Sequence, residues 1–434
     1  MNGNPVFSFR GLVLAALALM LATDALGGPI RYGLQALGLV GISYAPFLAV
    51  AALVAAYALT ALGSLRRDAI ALAISALPVV WLSYALLLGQ PPAQVAFGLY
   101  TWMPVFLGMV VVATGATGGA LRLVALVWGV AVAGVLANLA YRFPWVGGSY
   151  EIFGVQAEFA REWQAFGVDR LPGFSRASFT AANQIAIGGA LLLAGSMPPA
   201  RKVVVWLVSV VAIGLTTSKA PLAVMFAAPL CLLLHDRLPG RSRFRFSQSV
   251  IGCLLAVAIG LPVAARLGLR FGEGGNLAFL SFGSVVARME EMWPRAYALL
   301  DPVWPRLLLG VGFGGIGAGQ AYFDPARFSP GDNLFVFLVA TFGVGALVFV
   351  AAFWRGNATL FEAAPPRHRL FFLLAMLVLI LGTMANVVES ALSGFLLGLI
   401  AGKALDPRAA AGESVLSPSL RRPGGPALVA PVRI

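Results

Sequence analysis

A handful of short stretches carry residue types suited to work on an anion. Arg170-Leu-Pro-Gly-Phe-Ser-Arg176 sets two guanidiniums on either side of Gly173. Such a pair can clamp a phosphate through bidentate hydrogen bonds. Its plain alternative is a pair of juxtamembrane arginines reaching lipid headgroups. Lys219, in Thr216-Thr217-Ser218-Lys219-Ala220-Pro221, closes a hairpin (Val203–Leu234) that is short for two membrane crossings. A lysine at the bilayer centre costs on the order of 3 kcal/mol, so it should find an anion or a cavity. Ser284–Asp301 has apolar residues at helical spacing and reads as an amphipathic helix over the apolar core. Arg288 is set to pair with Glu291, and Glu291 with Arg295. For Glu290 and Arg295 a solvated ion-pair face is sufficient explanation. Arg288 asks for more, because Leu308–Gly319 (rich in glycine) and Asp332-Asn333 follow it. The glycines make a weak dinucleotide fingerprint, with no strand–turn–helix unit around them. They serve better to let backbone approach a ligand or a helix. Asp332 can cap a following helix, act on a substrate, or do both. Glu389 closes another short hairpin.

The elements that must position these residues are membrane helices. The 434 residues are 60% hydrophobic and 11% charged, with a mean hydropathy of +0.89. That composition excludes an ordinary soluble domain, and the apolar runs are too long for barrel strands. The net charge of +13 lies largely in loops flanking helices, where insertion accounts for it, so nucleic acid is not an expected partner. Cys231 and Cys253 sit inside apolar runs, which argues against a disulfide or a cysteine metal site. His235 and His368 lie in basic loops of the inner type, leaving the outer face without a histidine base or ligand.

The fold class expected is an all-α polytopic integral membrane protein. About twelve transmembrane helices, both termini inside, satisfy the rule that short basic loops face the cytoplasm. Residues 1–140 hold the first five helices; the first resembles a signal peptide, but Arg10 is a weak basic start and Thr23-Asp24-Ala25 a poor cleavage site. Residues 29–45 have the makings of a re-entrant piece. A first long outer loop spans 141–180 and helices six to nine span 181–265. A second long outer loop spans 266–331 and the last three helices span 332–402. Residues 403–434, rich in Pro, Gly and Ser, read as a disordered cytoplasmic tail. No internal repeat supports an inverted-repeat transporter.

In order, the chain has Arg-x-x-Gly-Phe before a helix, Thr-x-Ser-Lys at a hairpin turn and Arg-x-x-x-x-Trp in an outer loop. Gly-x-Gly-x-Gly and a helix-opening Asp-Asn follow, with Phe342-Gly343 after them. This series resembles the Wzy-type polysaccharide polymerases and the related O-antigen ligases, over about residues 165–350. Lys219 stands where relatives often have Arg, and Asp332 where ligases typically have His. The second difference favours a polymerase, of exopolysaccharide or O-antigen.

The resemblance implies a GT-C-like fold in a bacterial inner membrane, with the active site facing the periplasm. It implies a glycosyltransferase that joins undecaprenyl-diphosphate-linked oligosaccharide repeat units. Arg170, Arg176, Lys219 and Arg288 are then the diphosphate-binding candidates, since fixed cations stabilise a departing diphosphate. Asp332 is the first choice of catalytic base and Glu389 the second. Trp293, Tyr297 and Asn333 are expected at the sugar. Trp163 and Trp304 offer further stacking faces, although interfacial anchoring is the commoner reason for such aromatics. With no Asp-x-Asp motif and several cations present, no metal or other cofactor is expected. The expected partners are the lipid-linked oligosaccharide, the bilayer and a chain-length-regulating copolymerase. An O-antigen-type ligase and a lipid-linked sugar flippase are the alternatives.

Overall fold

In hydrocarbon every backbone N–H and C=O must be bonded within its own segment, which a helix achieves. A computed structural model of the chain describes residues 8–63, 68–152, 155–165, 167–269, 283–300, 303–363 and 365–405. The expected disordered tail beyond 405 and Arg66-Arg67 of the second basic loop lie outside the described residues, as do 270–282 of the second long segment.

In chain order the elements are α1 (Phe9–Ala25), α2 (Gly27–Ala36), α3 (Ala45–Gly63), α4 (Ala69–Leu87), α5 (Pro92–Ala113) and α6 (Thr117–Ala140). Four short strands follow: β1 (Ser149–Ile152), β2 (Val155–Glu158), β3 (Gln164–Ala165) and β4 (Val168–Asp169). Then come α7 (Ser178–Ala194), α8 (Pro199–Leu215), α9 (Lys219–Arg237) and α10 (Gly240–Arg266). The second long segment holds α11 (Gly283–Ala287), α12 (Trp293–Ala298), α13 (Trp304–Leu309) and α14 (Ala318–Phe323). Last are α15 (Leu334–Phe342), α16 (Leu347–Ala363), α17 (Pro365–Gly382) and α18 (Ala391–Leu405).

The chain is an all-α polytopic protein in type. Each of the twelve expected apolar segments is helical. By length and hydropathy, however, seven described helices qualify as membrane spans, or eight if α1 and α2 form one bent span. α7 and α18 are apolar but shorter. α2 leaves α1 at 84°, and a 3-10 turn (Val40–Tyr44) precedes α3, so the 29–45 region is indeed not a plain loop. The basic stretch expected as a loop after α9 is helical instead: Arg241, Arg243 and Arg245 lie in the first turns of α10.

The strands qualify the all-α expectation. β1 and β2 pair antiparallel with Tyr150 opposite Ala157, and β3 pairs with β4 with Gln164 opposite Asp169. Tyr150, Ala157 and Phe159 form a small apolar cluster with Val40, with Trp145 and Ile152 packed on it. These hairpins are too short to stand out in hydropathy, and packing against the 3-10 turn supports the β1–β2 pair.

At the centre, α5 and α18 approach backbone to backbone. A Cβ on Gly398 would lie 2.0 Å from the Val105 carbonyl oxygen, and one on Gly108 2.3 Å from that of Phe395. Small residues allow this approach, which large side chains would prevent. α17 is buried along Phe371–Leu379. The turns that follow α6, α8, α14 and α17 share one end of this array.

His235 and His368 mark the other end. They are buried within α9 and α17 rather than in loops. Their Nε2 and Nδ1 atoms are 3.2 Å apart, and Ser247 Oγ is 3.1 Å from His368 Nε2. Lys219 and His235 lie sixteen positions apart on α9, about 24 Å at 1.5 Å per residue. Both histidines are therefore remote from the end where Lys219 lies.

Candidate functional site at one end of the helix array

Arg288 and Asp332 meet at this end. Between α11 and α12 the chain makes a π turn, Arg288–Met292. Met289, Trp293 and Ala296 bury the inner face of this helical stretch, fixing its rotation. Arg288 Nη2 lies 3.1 Å from Asp332 Oδ2, while Nη1 donates to the Ser284 carbonyl at 2.8 Å. The expected Arg288–Glu291–Arg295 ladder is thus replaced: Arg295 donates instead to the Ala326 carbonyl at 3.4 Å. A π turn has a longer repeat than an α-helix, so residues three and four apart no longer face one another.

Asn333, not Asp332, caps α15. Its Oδ1 accepts from the N–H groups of Phe335 (2.8 Å) and Val336 (3.1 Å). Its Nδ2 donates to the carbonyls of Ala258 and Thr383, both at 2.9 Å. Asn333 is fully buried. Trp293 is equally buried, and its Nε1 donates to the Asp332 carbonyl at 3.3 Å. Trp293 and the capping Asn333 thus hold the backbone on either side of Asp332. Tyr297 is half-buried on α12, and burial pushes its phenol up to about 12. Trp304 is exposed on α13.

The two arginines of the first long segment part company. Gly173 has φ +62, and a Cβ there would meet the Val135 nitrogen at 2.7 Å; only glycine suits both demands. Its N–H donates to Asn138 Oδ1 at 3.2 Å. The resulting turn sends Arg170 toward the α8–α9 turn. There Arg170 donates through Nε to the Thr216 carbonyl (3.2 Å) and through Nη2 to that of Thr217 (3.4 Å). Thr217 holds φ +53, unusual for a β-branched residue. Trp163 stacks on Arg170, 4.7 Å from ring centroid to guanidinium carbon. Burial and the nearby charge of Arg288 hold the Arg170 guanidinium below its ordinary value. Lys219, at the start of α9, also lies close enough to Arg170 to feel its charge. Arg176 instead turns to α2 and donates to the Glu158 carbonyl at 3.0 Å. Arg170 and Arg176 therefore do not form the clamp expected of them; Arg170, Lys219 and Arg288 form the cluster.

The glycine-rich loop is an inserted packing element. Gly310, Gly312, Gly314 and Gly317 all have φ between +74 and +79. Val311 and Gly312 donate to the carbonyls of Ala340 (2.7 Å) and Thr341 (3.1 Å) on α15. Gln94 Nε2 on α5 donates to the Gly314 carbonyl at 2.8 Å. The loop ends against the α17–α18 turn, where a Cβ on Gly317 would lie 2.3 Å from Glu389 Oε1. The next residue, Ala318, donates its N–H to that oxygen at 2.6 Å. Burial and then the Asp332 charge raise the Glu389 carboxyl to about 7, against the pull of the Ala318 N–H. Asp332 is raised by burial, and Arg288 opposes the rise.

This end therefore joins Asp332, Glu389, Arg170, Lys219 and Arg288. Arg161 belongs with them and was not foreseen: its charge reaches Asp332, and it stacks on Trp163 at 5.7 Å. Its neighbours in sequence give no signal, since a lone arginine beside an acid reads as a solvated pair. Among the described residues, no group of three or more His, Cys, Asp or Glu side chains could hold a metal ion. An enclosed carboxyl titrating near neutrality can accept a proton, while cations grouped around the neighbouring Asp332 can stabilise a developing negative charge. Compared with protein-family models and with curated proteins, the chain matches none.

Proposed function

We propose that this protein is a polysaccharide polymerase. It joins oligosaccharide repeat units carried on undecaprenyl diphosphate, at the periplasmic face of a bacterial inner membrane. The observation that carries the reading is the meeting of Arg288 with Asp332 beside Arg170, Lys219 and Glu389. In the reaction an acceptor hydroxyl attacks the anomeric carbon, the bond to the diphosphate breaks, and the diphosphate leaves with the electron pair. The hydroxyl proton passes to a carboxylate. Glu389, poised near 7, suits that task, while Asp332 holds Arg288 in place. Arg288, Arg170 and Lys219 stabilise the departing charge, an effect of about 10²–10³ in rate for a well-aimed donor.

The test is purified protein in membranes with its lipid-linked oligosaccharide and no added metal. Wild type gives a ladder of lipid-linked products, and Arg288→Ala slows it about a hundredfold. Arg295→Ala, which loses one long bond to a loop carbonyl, leaves it unchanged. Movement of intact substrate across the bilayer without a ladder overturns the reading in favour of a flippase.

A further inference from the structure

Arg176 and the sharp exit of α2 from α1 make a second charged pocket. Gly27 lies between two guanidinium side chains: a Cβ there would be 3.1 Å from Arg31 Nη1 and 2.8 Å from Arg176 Cγ. Arg31 is 6% exposed and donates through Nη1 to the Gly27 carbonyl at 3.3 Å. The Nε atoms of both arginines are buried without a partner. Among the described residues, neither guanidinium has a carboxylate within 4.0 Å. Asp24 feels both charges, but Gln184 holds it at 2.8 Å. One carboxylate also leaves one of the two positive charges unbalanced. The Glu158 carboxylate is turned away to Arg161, at 3.3 Å.

Half-buried phenols wall the pocket. Tyr44 and Tyr100 have ring centroids 6.0 Å apart, Phe97 stacks on Tyr100 at 5.5 Å, and Tyr322 meets Phe97 at 5.1 Å. The Tyr322 hydroxyl is within hydrogen-bonding reach of Arg176. Two like charges side by side, one of them buried and the other half-buried, are costly unless an anion joins them, and guanidinium forks fit a two-oxygen anion. Aromatic walls with hydroxyl tips suit the sugar to which such an anion is attached.

We propose that Arg31 and Arg176 form a second oxyanion site, separate from the Arg288–Asp332 centre, that binds the phosphoryl or carboxylate group of a second saccharide substrate. The site rests on local geometry, and its assignment to a second substrate rests on the polymerase reading. Two sources of the anion are open to test: the diphosphate of a second lipid, or an acidic sugar in the repeat.

Native mass spectrometry of the full chain with undecaprenyl diphosphate distinguishes them. If the anion is phosphoryl, wild type holds two lipids, Arg176→Ala one, Arg288→Ala one, and the double variant none. If it is a carboxylate, wild type holds one lipid and also one trigalacturonate, and the trigalacturonate is lost in Arg176→Ala. Arg176→Lys keeps the charge without the fork and weakens the same equivalent about tenfold, which decides the matter should Arg176→Ala fail to fold. A single bound lipid unaffected by either Arg176 variant, with no trigalacturonate bound, overturns the proposal. So does any second equivalent that both Arg176 variants leave intact. A second equivalent that depends on Arg176, without a product ladder, would sink the polymerase reading and spare the site.

Discussion

Glu389→Gln tests the enclosed carboxyl directly. Gln keeps an oxygen to accept the Ala318 N–H, and its volume is almost that of Glu, so packing against Gly317 is preserved. What it removes is ionisation. Glu389 rises from 4.5 to about 7 on folding, which is worth roughly 3 kcal/mol at 1.36 kcal/mol per tenfold. The folded chain thus retains a proton that the unfolded chain releases. Stability from this group is fully present below about pH 4.5 and is lost as pH rises through about 7. The variant has no such loss. It should match wild type near pH 4.5 and exceed it by roughly 3 kcal/mol at pH 8. With an unfolding entropy of about 2.1 cal/mol/K per residue, that is about 3 °C in melting temperature. Thermal unfolding in detergent at the two pH values reads the difference, and the product ladder reads activity in parallel. Wild-type activity should rise with pH through about 7 as the base deprotonates, and the variant should be inactive throughout. A stability gap that is the same at both pH values would show that the carboxyl is not held protonated by the fold. Full activity in the variant would remove Glu389 as the base.

Gly317→Ala should cost about 1–3 kcal/mol, through its φ of +76 and a Cβ pressed against Glu389, and should cut activity; thermal unfolding and the ladder assay check it. Gly118→Ala, where nothing lies within 4 Å, should leave both unchanged. Asn333→Ala removes the cap of α15 and two buried donors, and should destabilise by about 2 kcal/mol or more; Asn333→Asp should restore only the cap. Gly398→Ala forces α18 off the Val105 carbonyl, so its detergent-purified melting temperature should fall well below that of wild type.

What the sequence made legible was hydropathy and order. The apolar runs marked the helices, and composition marked the class. Their order along the chain also named Asp332, Glu389, Arg170, Lys219 and Arg288, which the fold brings together at one end of the helix array. The pairings were not legible. Arg288 read as one rung of a helical ion-pair ladder, since nothing in Arg-Met-Glu-Glu-Met announces a π turn. Asp332 and Asn333 are both good caps, and only tertiary contacts with Ala258 and Thr383 decide for Asn333. Arg170 and Arg176 looked like one clamp because spacing along a chain says nothing of a turn at φ +62 between them. Arg31 and Arg161 went without a role because the charges they meet, those of Arg176 and Asp332, lie far away in sequence.

The two carboxyls at the candidate centre have different surroundings, and that difference assigns the proton. Arg288 touches Asp332 and favours its ionised form, whereas Glu389 has a neutral backbone donor and feels the Asp332 charge. In a coupled pair the shared proton belongs to the member with less cationic support. At pH 6 it should therefore reside on Glu389. Infrared difference spectra should show a protonated-carboxyl C=O band that titrates near pH 7. That band should vanish in Glu389→Gln and persist in Asp332→Asn, shifted to lower pH once the neighbouring negative charge is gone. A band lost in Asp332→Asn and kept in Glu389→Gln would reverse the assignment. Asp332 would then hold the proton despite Arg288, and the cation would have to act on the substrate alone.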